Sequence, residues 1–222
     1  MKKLKFDTVI FDFDYTLADG TMAIVECYNY ALEKSGFKKA EVEPVKKTVG
    51  MTVEDSFKIL SECDDEDIIL KMRALFKEKA DEVLAKGTKM YNDSYTLLHC
   101  LKNNNVKTGI VSSKQRFRIE EILERENLLD CIDLIVGFSD APEPKPSPVG
   151  LKLAIEKLGG KKILYAGDSL IDAKTALNAK CPFAAILNGT TAKSEFSDFF
   201  IANPNSIVFG IFQNLTEFMK VF

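Results

Sequence analysis

Thr8-Val9-Ile10-Phe11-Asp12-Phe13-Asp14-Tyr15-Thr16-Leu17 is the stretch whose reading decides the fold of this chain. Val9, Ile10 and Phe11 form an unbroken apolar run of β-branched and aromatic residues. That composition suits a strand buried on both faces of a parallel sheet. The run ends in two carboxylates spaced two apart, followed by a hydroxyl residue. Side chains at that spacing leave an extended segment on the same side, so Asp12 and Asp14 share the strand end. Two ionised carboxylates at the rim of an apolar core repel each other and lose hydration. A strand end tolerates them where a cation, or a group from elsewhere in the chain, uses their charge. The alternative is a turn former beside a solvated surface acid, and the stretch alone leaves both readings open.

Beyond Leu17 the apolar period changes. Asp19-Gly20-Thr21 reads as a turn and helix start, with Met22 to Lys34 at helical spacing and Gly36 as the stop. Thr52 reads as the N-cap of a helix through Phe57 and Leu60. The acids Asp64 to Asp67 sit at the positive end of a further helix that closes at Gly87. From about residue 88 the texture alternates. Val106 to Val111 is a strand running into Ser112-Ser113, and Arg116 to Glu126 is a charged helix. Ile132 to Val136 is a strand, Glu143 to Pro148 a rigid loop, and a helix follows to Leu158. Lys162 to Gly167 is a strand meeting Asp168, residues 169–179 are a helix, and Phe183 to Leu187 is another strand.

Strands alternating with helices predict a mostly parallel sheet. The roughly seventy helical residues after the first strand are too many for a connection. The predicted fold is therefore α/β, a three-layer Rossmann-like parallel-sheet core over residues 1–17 and 88–222, with an inserted α-helical domain over 18–87.

Composition narrows the function. A net charge of −3 carries no basic surplus for nucleic acid. No run of about 18 apolar residues exists to span a membrane, and Asp7, Asp12 and Asp14 cut the first apolar stretch too short for a signal peptide. The five cysteines are odd in number, far apart and without a Cys-x-x-Cys pair. This predicts reduced, mostly core thiols in a cytoplasmic protein and no zinc site. Phe199-Phe200-Ile201 and Ile207-Val208-Phe209 read as core segments, His99 as a helix residue at the core boundary, and Lys114, Arg116 and Arg118 as a solvated helix face, with contact to a bound molecule the alternative.

In an open parallel sheet the site lies outside the carboxyl ends of the strands. Four predicted strand ends or following loops carry polar groups: Asp12 with Asp14, Ser112 with Ser113, Lys145, and Asp168 with Asp172. Each has a structural alternative, Ser112, Ser113 and Asp168 as helix N-caps, Lys145 and Asp172 as solvated charges. Their recurrence in the same position on successive strands points to a site. Carboxylates facing one point suit a hard divalent cation such as Mg²⁺, while hydroxyls and a lysine suit phosphate. Together they are equipment for phosphoryl transfer.

These residues resemble the motifs of the haloacid dehalogenase superfamily, in its branch of phosphatases with a helical cap after the first strand. Asp12-Phe13-Asp14-Tyr15-Thr16-Leu17, Ile110-Val111-Ser112-Ser113, Lys145-Pro146-Ser147-Pro148 and Gly167-Asp168-Ser169-Leu170-Ile171-Asp172 are similar to its four motifs, in order. Length, cap size and the Lys-Pro-x-Pro loop are most similar to phosphoglycolate phosphatase-like members. The resemblance implies a Mg²⁺-dependent phosphatase of a small phosphorylated metabolite, phosphoglycolate-like or a sugar phosphate. Asp12 would be the nucleophile and Asp14 the acid and base. Ser112, Ser113 and Lys145 would bind phosphate. Asp12, Asp14 (through its carbonyl) and Asp168 would hold the metal, with Asp172 a ligand through water or a supporting partner.

Thr48, Gly50 and Met51 fall where related caps reach substrate, and Tyr15 stands where many members have glycine, at a turn that constrains φ. A monomer or weak dimer is expected, without nucleic acid or membrane partners. The competing readings are a β-phosphoglucomutase-like transferase and, in a different class, a phosphorylation-controlled signalling receiver. The receiver has no need of the helical insertion.

Overall fold

The computed structural model describes residues 5–221. Six parallel strands form the main sheet: β1 (Thr8–Phe11), β4 (Lys107–Val111), β5 (Leu134–Val136), β6 (Ile163–Gly167), β7 (Phe183–Ile186) and β8 (Val208–Phe212), in the order β5-β4-β1-β6-β7-β8. Two further short strands, β2 (Ala18–Asp19) and β3 (Lys89–Met90), pair with each other. The helices are α1 (Thr21–Lys34), α2 (Val42–Thr48), α3 (Val53–Ser61), α4 (Glu66–Gly87), α5 (Asn92–Asn103), α6 (Arg116–Arg125), α7 (Val149–Leu158), α8 (Leu170–Ala179), α9 (Lys193–Ala202) and α10 (Leu215–Met219).

β1 lies inside the sheet because nothing in Val9-Ile10-Phe11 wants water; all three are fully buried. Thr8 to Phe11 pair residue for residue with Lys107 to Ile110 on one side and with Ile163 to Ala166 on the other. On one face Ile10, Val111, Tyr165 and Phe183 pack against Leu151, Ala154, Ala173 and Phe196 of α7, α8 and α9. On the opposite face the ring of Phe11 meets Phe218 of α10, which also contacts Phe212. The result is the predicted α/β sandwich. The chain enters β1 between strands whose connections run to opposite sides, which opens a crevice at the carboxyl edge.

The chain divides into two compact units, Met1–Ala18 with Met90–Phe222, and Asp19–Lys89. The helical unit has its own core, in which the Tyr28 ring contacts Phe57 and Phe76 at 5.0 and 4.7 Å between centroids. Thr52 caps α3 by accepting the Asp55 N–H, and Asp65 caps α4. The strands β2 and β3 are unexpected, since two residues carry no periodic signal.

Two other expectations change. Ile201 is 79% exposed, and Ile207 and Val208 are exposed as well, because α9 turns only one side to the sheet and β8 is an edge strand. His99 is exposed, with Nδ1 3.5 Å from Cys131 Sγ. The thiols are mostly core as expected, with Cys27, Cys131 and Cys181 buried and Cys100 exposed. No helix among the described residues is long and apolar enough to cross a membrane.

Candidate active site

The registered strands β4, β1 and β6 deliver Ser112, Asp12 and Asp168 to one edge, each one residue beyond its strand. Ladder bonds continue to these residues: Asp12 N–H donates to Ala166 O at 2.9 Å and Ser112 N–H to Val136 O at 3.0 Å. Backbone pairing therefore holds the candidate nucleophile rigidly. After Asp12 the chain reverses at Tyr15, whose φ is +59°. This left-handed conformation costs an L-residue about 1–2 kcal/mol. The turn is closed by Tyr15 N–H donating to Ala18 O at 2.7 Å and by Leu17 N–H donating to Phe13 O. Tyr15 itself is 3% exposed, so a buried aromatic occupies a conformation that glycine adopts without strain.

Lys145 reaches the same edge from the loop before α7. Its Nζ lies 2.9 Å from Asp12 Oδ1 and donates to Asp172 Oδ1 at 2.7 Å. Asp172 is fully buried on the first turn of α8. Its Oδ1 also accepts Tyr165 OH at 2.7 Å, and its Oδ2 accepts Ser169 Oγ at 2.6 Å and Ser169 N–H at 3.2 Å. Four donors fill the four lone-pair sites of a carboxylate. Asp168 receives Thr16 Oγ1 at 3.1 Å. Two glycines leave room for these acids. A Cβ at Gly189 would fall 2.0 Å from Asp168 Oδ2, and one at Gly167 would fall 2.6 Å from Asp172 Cγ.

The charges do not balance locally. Burial pushes the Asp12 carboxyl up to about 6, opposed by Lys145 and reinforced by Asp172 and Asp14. Burial, then Asp172 and Asp12, hold Asp168 well above the usual carboxylate range. Burial pulls the Lys145 ammonium down, but Asp12 and Asp172 outweigh it and hold it above its ordinary value. Oxygens of Asp12, Asp168 and Asp172 lie within 4.8 Å of one another. Asp12 Oδ1, though buried, accepts no hydrogen bond and has only the ion pair to Lys145. An under-satisfied, acid-rich oxygen cluster fits a hard divalent cation. Because Asp172 is already saturated by donors, Asp12 and Asp168 are the side chains with capacity for it.

Asp14 stands apart from that cluster. Its Oδ1 is 2.9 Å from Lys114 Nζ, and the Lys114 side chain is 4% exposed. The expected solvated face is thus corrected for Lys114 and for Arg118, which is also buried; Arg116 is exposed and pairs with Glu120 and Asp140. The reason is positional: α6 starts after Gln115, so Lys114 belongs to the loop leaving β4. Ser112 and Ser113 line one depression with Lys145, Glu143 and Ser147. Neither serine caps α6, and Ser169, not Asp168, caps α8.

In the helical unit Thr48 is buried and donates to Val45 O at 2.9 Å, Gly50 has φ +98°, and Met51 is 36% exposed. Of these three, Thr48 has its side chain committed inside the helical unit. Thr16, Tyr165, Ser169 and Gly189 were not given site roles from sequence, and Lys114 was noted only as a residue after the second motif. Its signal was a lysine two residues past a strand-end serine.

The sequence profile of haloacid dehalogenase-like hydrolases matches residues 9–186. The chain belongs to the haloacid dehalogenase-like hydrolase family. Pyrophosphatase PpaX of Bacillus cereus (strain G9842) is 27% identical over 219 residues, covering 96% of this chain and 100% of that protein. A crystal structure of a haloacid dehalogenase-like hydrolase from Bacteroides fragilis is 34% identical, with a TM-score of 0.89 over 96% of this chain and 99% of the other. A Lactobacillus plantarum protein described as a phosphoglycolate phosphatase shares the fold at 22% identity and a TM-score of 0.81, over 98% and 99% of the two chains. For this hydrolase, the receiver reading lapses.

The buried acids predict a pH effect. Below about pH 3 Asp12 is neutral in folded and unfolded chains alike. As pH rises toward 6 the unfolded chain gives up the proton first, so the metal-free fold loses stability relative to Asp12→Asn, on the order of 3 kcal/mol. The deficit persists above pH 6. Urea unfolding of both proteins in chelator at pH 4, 5, 6 and 7.5 measures it; a stability gap independent of pH would contradict the buried-acid account.

Proposed function

We propose that this hydrolase is a Mg²⁺-dependent phosphatase that cleaves a small phosphorylated metabolite through an aspartyl phosphate on Asp12. The observation that carries the reading is the Lys145 ammonium placed between Asp12 and Asp172 at the edge that also holds Ser112 and Asp168. A carboxylate nucleophile needs no general base. Asp12 attacks phosphorus in line with the leaving oxygen. Ser112 and Lys145 hold the phosphoryl oxygens and take up their growing charge.

Asp14, oriented by Lys114, gives a proton to the leaving oxygen and later takes one from the water that hydrolyses the acyl phosphate. Asp12 and Asp168 would hold Mg²⁺, which would supply positive charge to offset the anionic cluster and polarise the phosphoryl group. The names of the relatives, pyrophosphatase and phosphoglycolate phosphatase, support a small substrate with a second anionic group.

A panel of pyrophosphate, 2-phosphoglycolate and sugar phosphates, assayed with Mg²⁺ and with chelator, tests this. Phosphate release from at least one compound, dependent on Mg²⁺, is expected. Metal-independent turnover, or isomerised sugar phosphate without free phosphate, would overturn it.

A further inference from the structure

Tyr165 has no role in the scheme above, yet its hydroxyl is built into the site. Its ring is fully buried in the sheet core against Phe183, with centroids 5.9 Å apart. Such a position ordinarily calls for phenylalanine, because a buried hydroxyl must find a partner. The partner here is Asp172 Oδ1 at 2.7 Å, the same oxygen that accepts Lys145 Nζ at 2.7 Å. Lys145 Nζ in turn lies 2.9 Å from Asp12 Oδ1.

Tyr165, Asp172, Lys145 and Asp12 thus form one buried chain, from the middle of β6 to the nucleophile. The Ser169 cap holds Asp172 Oδ2 from the other side. Ser169 alone would leave Oδ1 tethered only by the flexible lysine, and the carboxylate could pivot about Oδ2. The tyrosine, rooted in a strand, fixes Oδ1 and through it the point where the ammonium sits.

We propose that Tyr165 is a positioning residue for phosphoryl transfer, setting Lys145 over the phosphate seat by way of Asp172. The inference rests on the phosphatase reading, in which Lys145 binds the phosphoryl oxygens. It goes further by placing part of that binding in a core tyrosine that touches neither substrate nor metal. Outer-shell partners of this kind typically contribute 10–100-fold to affinity or rate, and loose positioning of a charged donor is felt mainly in the transition state.

The test uses Tyr165→Phe, which keeps the ring and removes one oxygen, beside Asp172→Asn. Three quantities are read: inhibition by orthophosphate, kcat against KM with the best substrate, and the rise in Tm on adding Mg²⁺. Tyr165→Phe is expected to weaken orthophosphate inhibition and lower kcat, each about tenfold, while the Mg²⁺-induced rise in Tm stays. Asp172→Asn should show the same pattern more strongly.

A Tyr165→Phe protein with parental orthophosphate affinity and kcat overturns the inference, whatever its Tm. So does an Asp172→Asn protein that keeps parental orthophosphate affinity, even if Tyr165→Phe does not fold. A merely structural tyrosine would lower Tm, or weaken the Mg²⁺ and orthophosphate responses together. If the parent itself neither binds orthophosphate nor releases it from any ester or anhydride, the phosphatase reading fails instead.

Discussion

Replacing Asp12 with asparagine is expected to lower phosphate release by at least about 10⁴-fold, with the fold intact. An amide is not a nucleophile toward phosphorus at neutral pH, and no second carboxylate can take its place. Asp14 is paired with Lys114, Asp172 carries four donors, and Asp168 is tied to Thr16. The substitution is nearly isosteric, and Lys145 keeps its partner Asp172. Stability should therefore be preserved, and above pH 6 in chelator it should exceed that of the parent. Phosphate release, together with trapping of acid-stable protein-bound phosphate from a radiolabelled substrate, decides the matter. Activity within tenfold of the parent would exclude Asp12 as the attacking group.

Lys145→Met is expected to damage stability and chemistry together. The lysine is the cation set between Asp12 and Asp172, and its side chain is only 6% exposed. Removing one partner of a buried ion pair leaves the other charge uncompensated, at a cost of about 3–5 kcal/mol. Here two acids lose their shared counter-ion, and burial already pushes Asp12 upward. The catalytic loss should be about 10²–10³-fold in kcat/KM, the size found when one preorganised donor to a developing charge is removed.

The two effects separate by metal. Mg²⁺ supplies charge to the same cluster, so it should stabilise the variant more than the parent in urea unfolding, without restoring kcat/KM. Equal stabilisation of both proteins would mean that Lys145 and the cation site do not share their charge.

Much of this was written in local chemistry. The β1 run, the cap at Thr52 and the alternation after residue 88 follow from periodicity and turn residues, and their signals survive without tertiary context. Asp12, Ser112 and Asp168 were legible because a polar residue ending a buried run is visible in one dimension. The register of three parallel strands then carries them to one edge. What failed were residues whose environment depends on what packs above them. Ile207 and Val208 look like core but lie at a sheet edge, where strand order, not composition, sets exposure. Lys114 and Arg118 look solvated but are buried, Lys114 against Asp14.

Tyr15 and Asp172 mark the division most clearly. Sequence by itself determined the α/β class, the helical insertion and the motif acids and lysine, because these depend on periodicity and on residue type at strand ends. It could only note that Tyr15 stands at a turn that favours glycine; the reversal closed by Ala18 O puts it at φ +59°. It likewise left Asp172 between metal ligand and supporting partner. The tertiary structure showed what surrounds it, converging Lys145, Tyr165 and Ser169 on its two oxygens. Lone pairs are finite in number, and which donors fill them is settled only when distant segments of the chain meet.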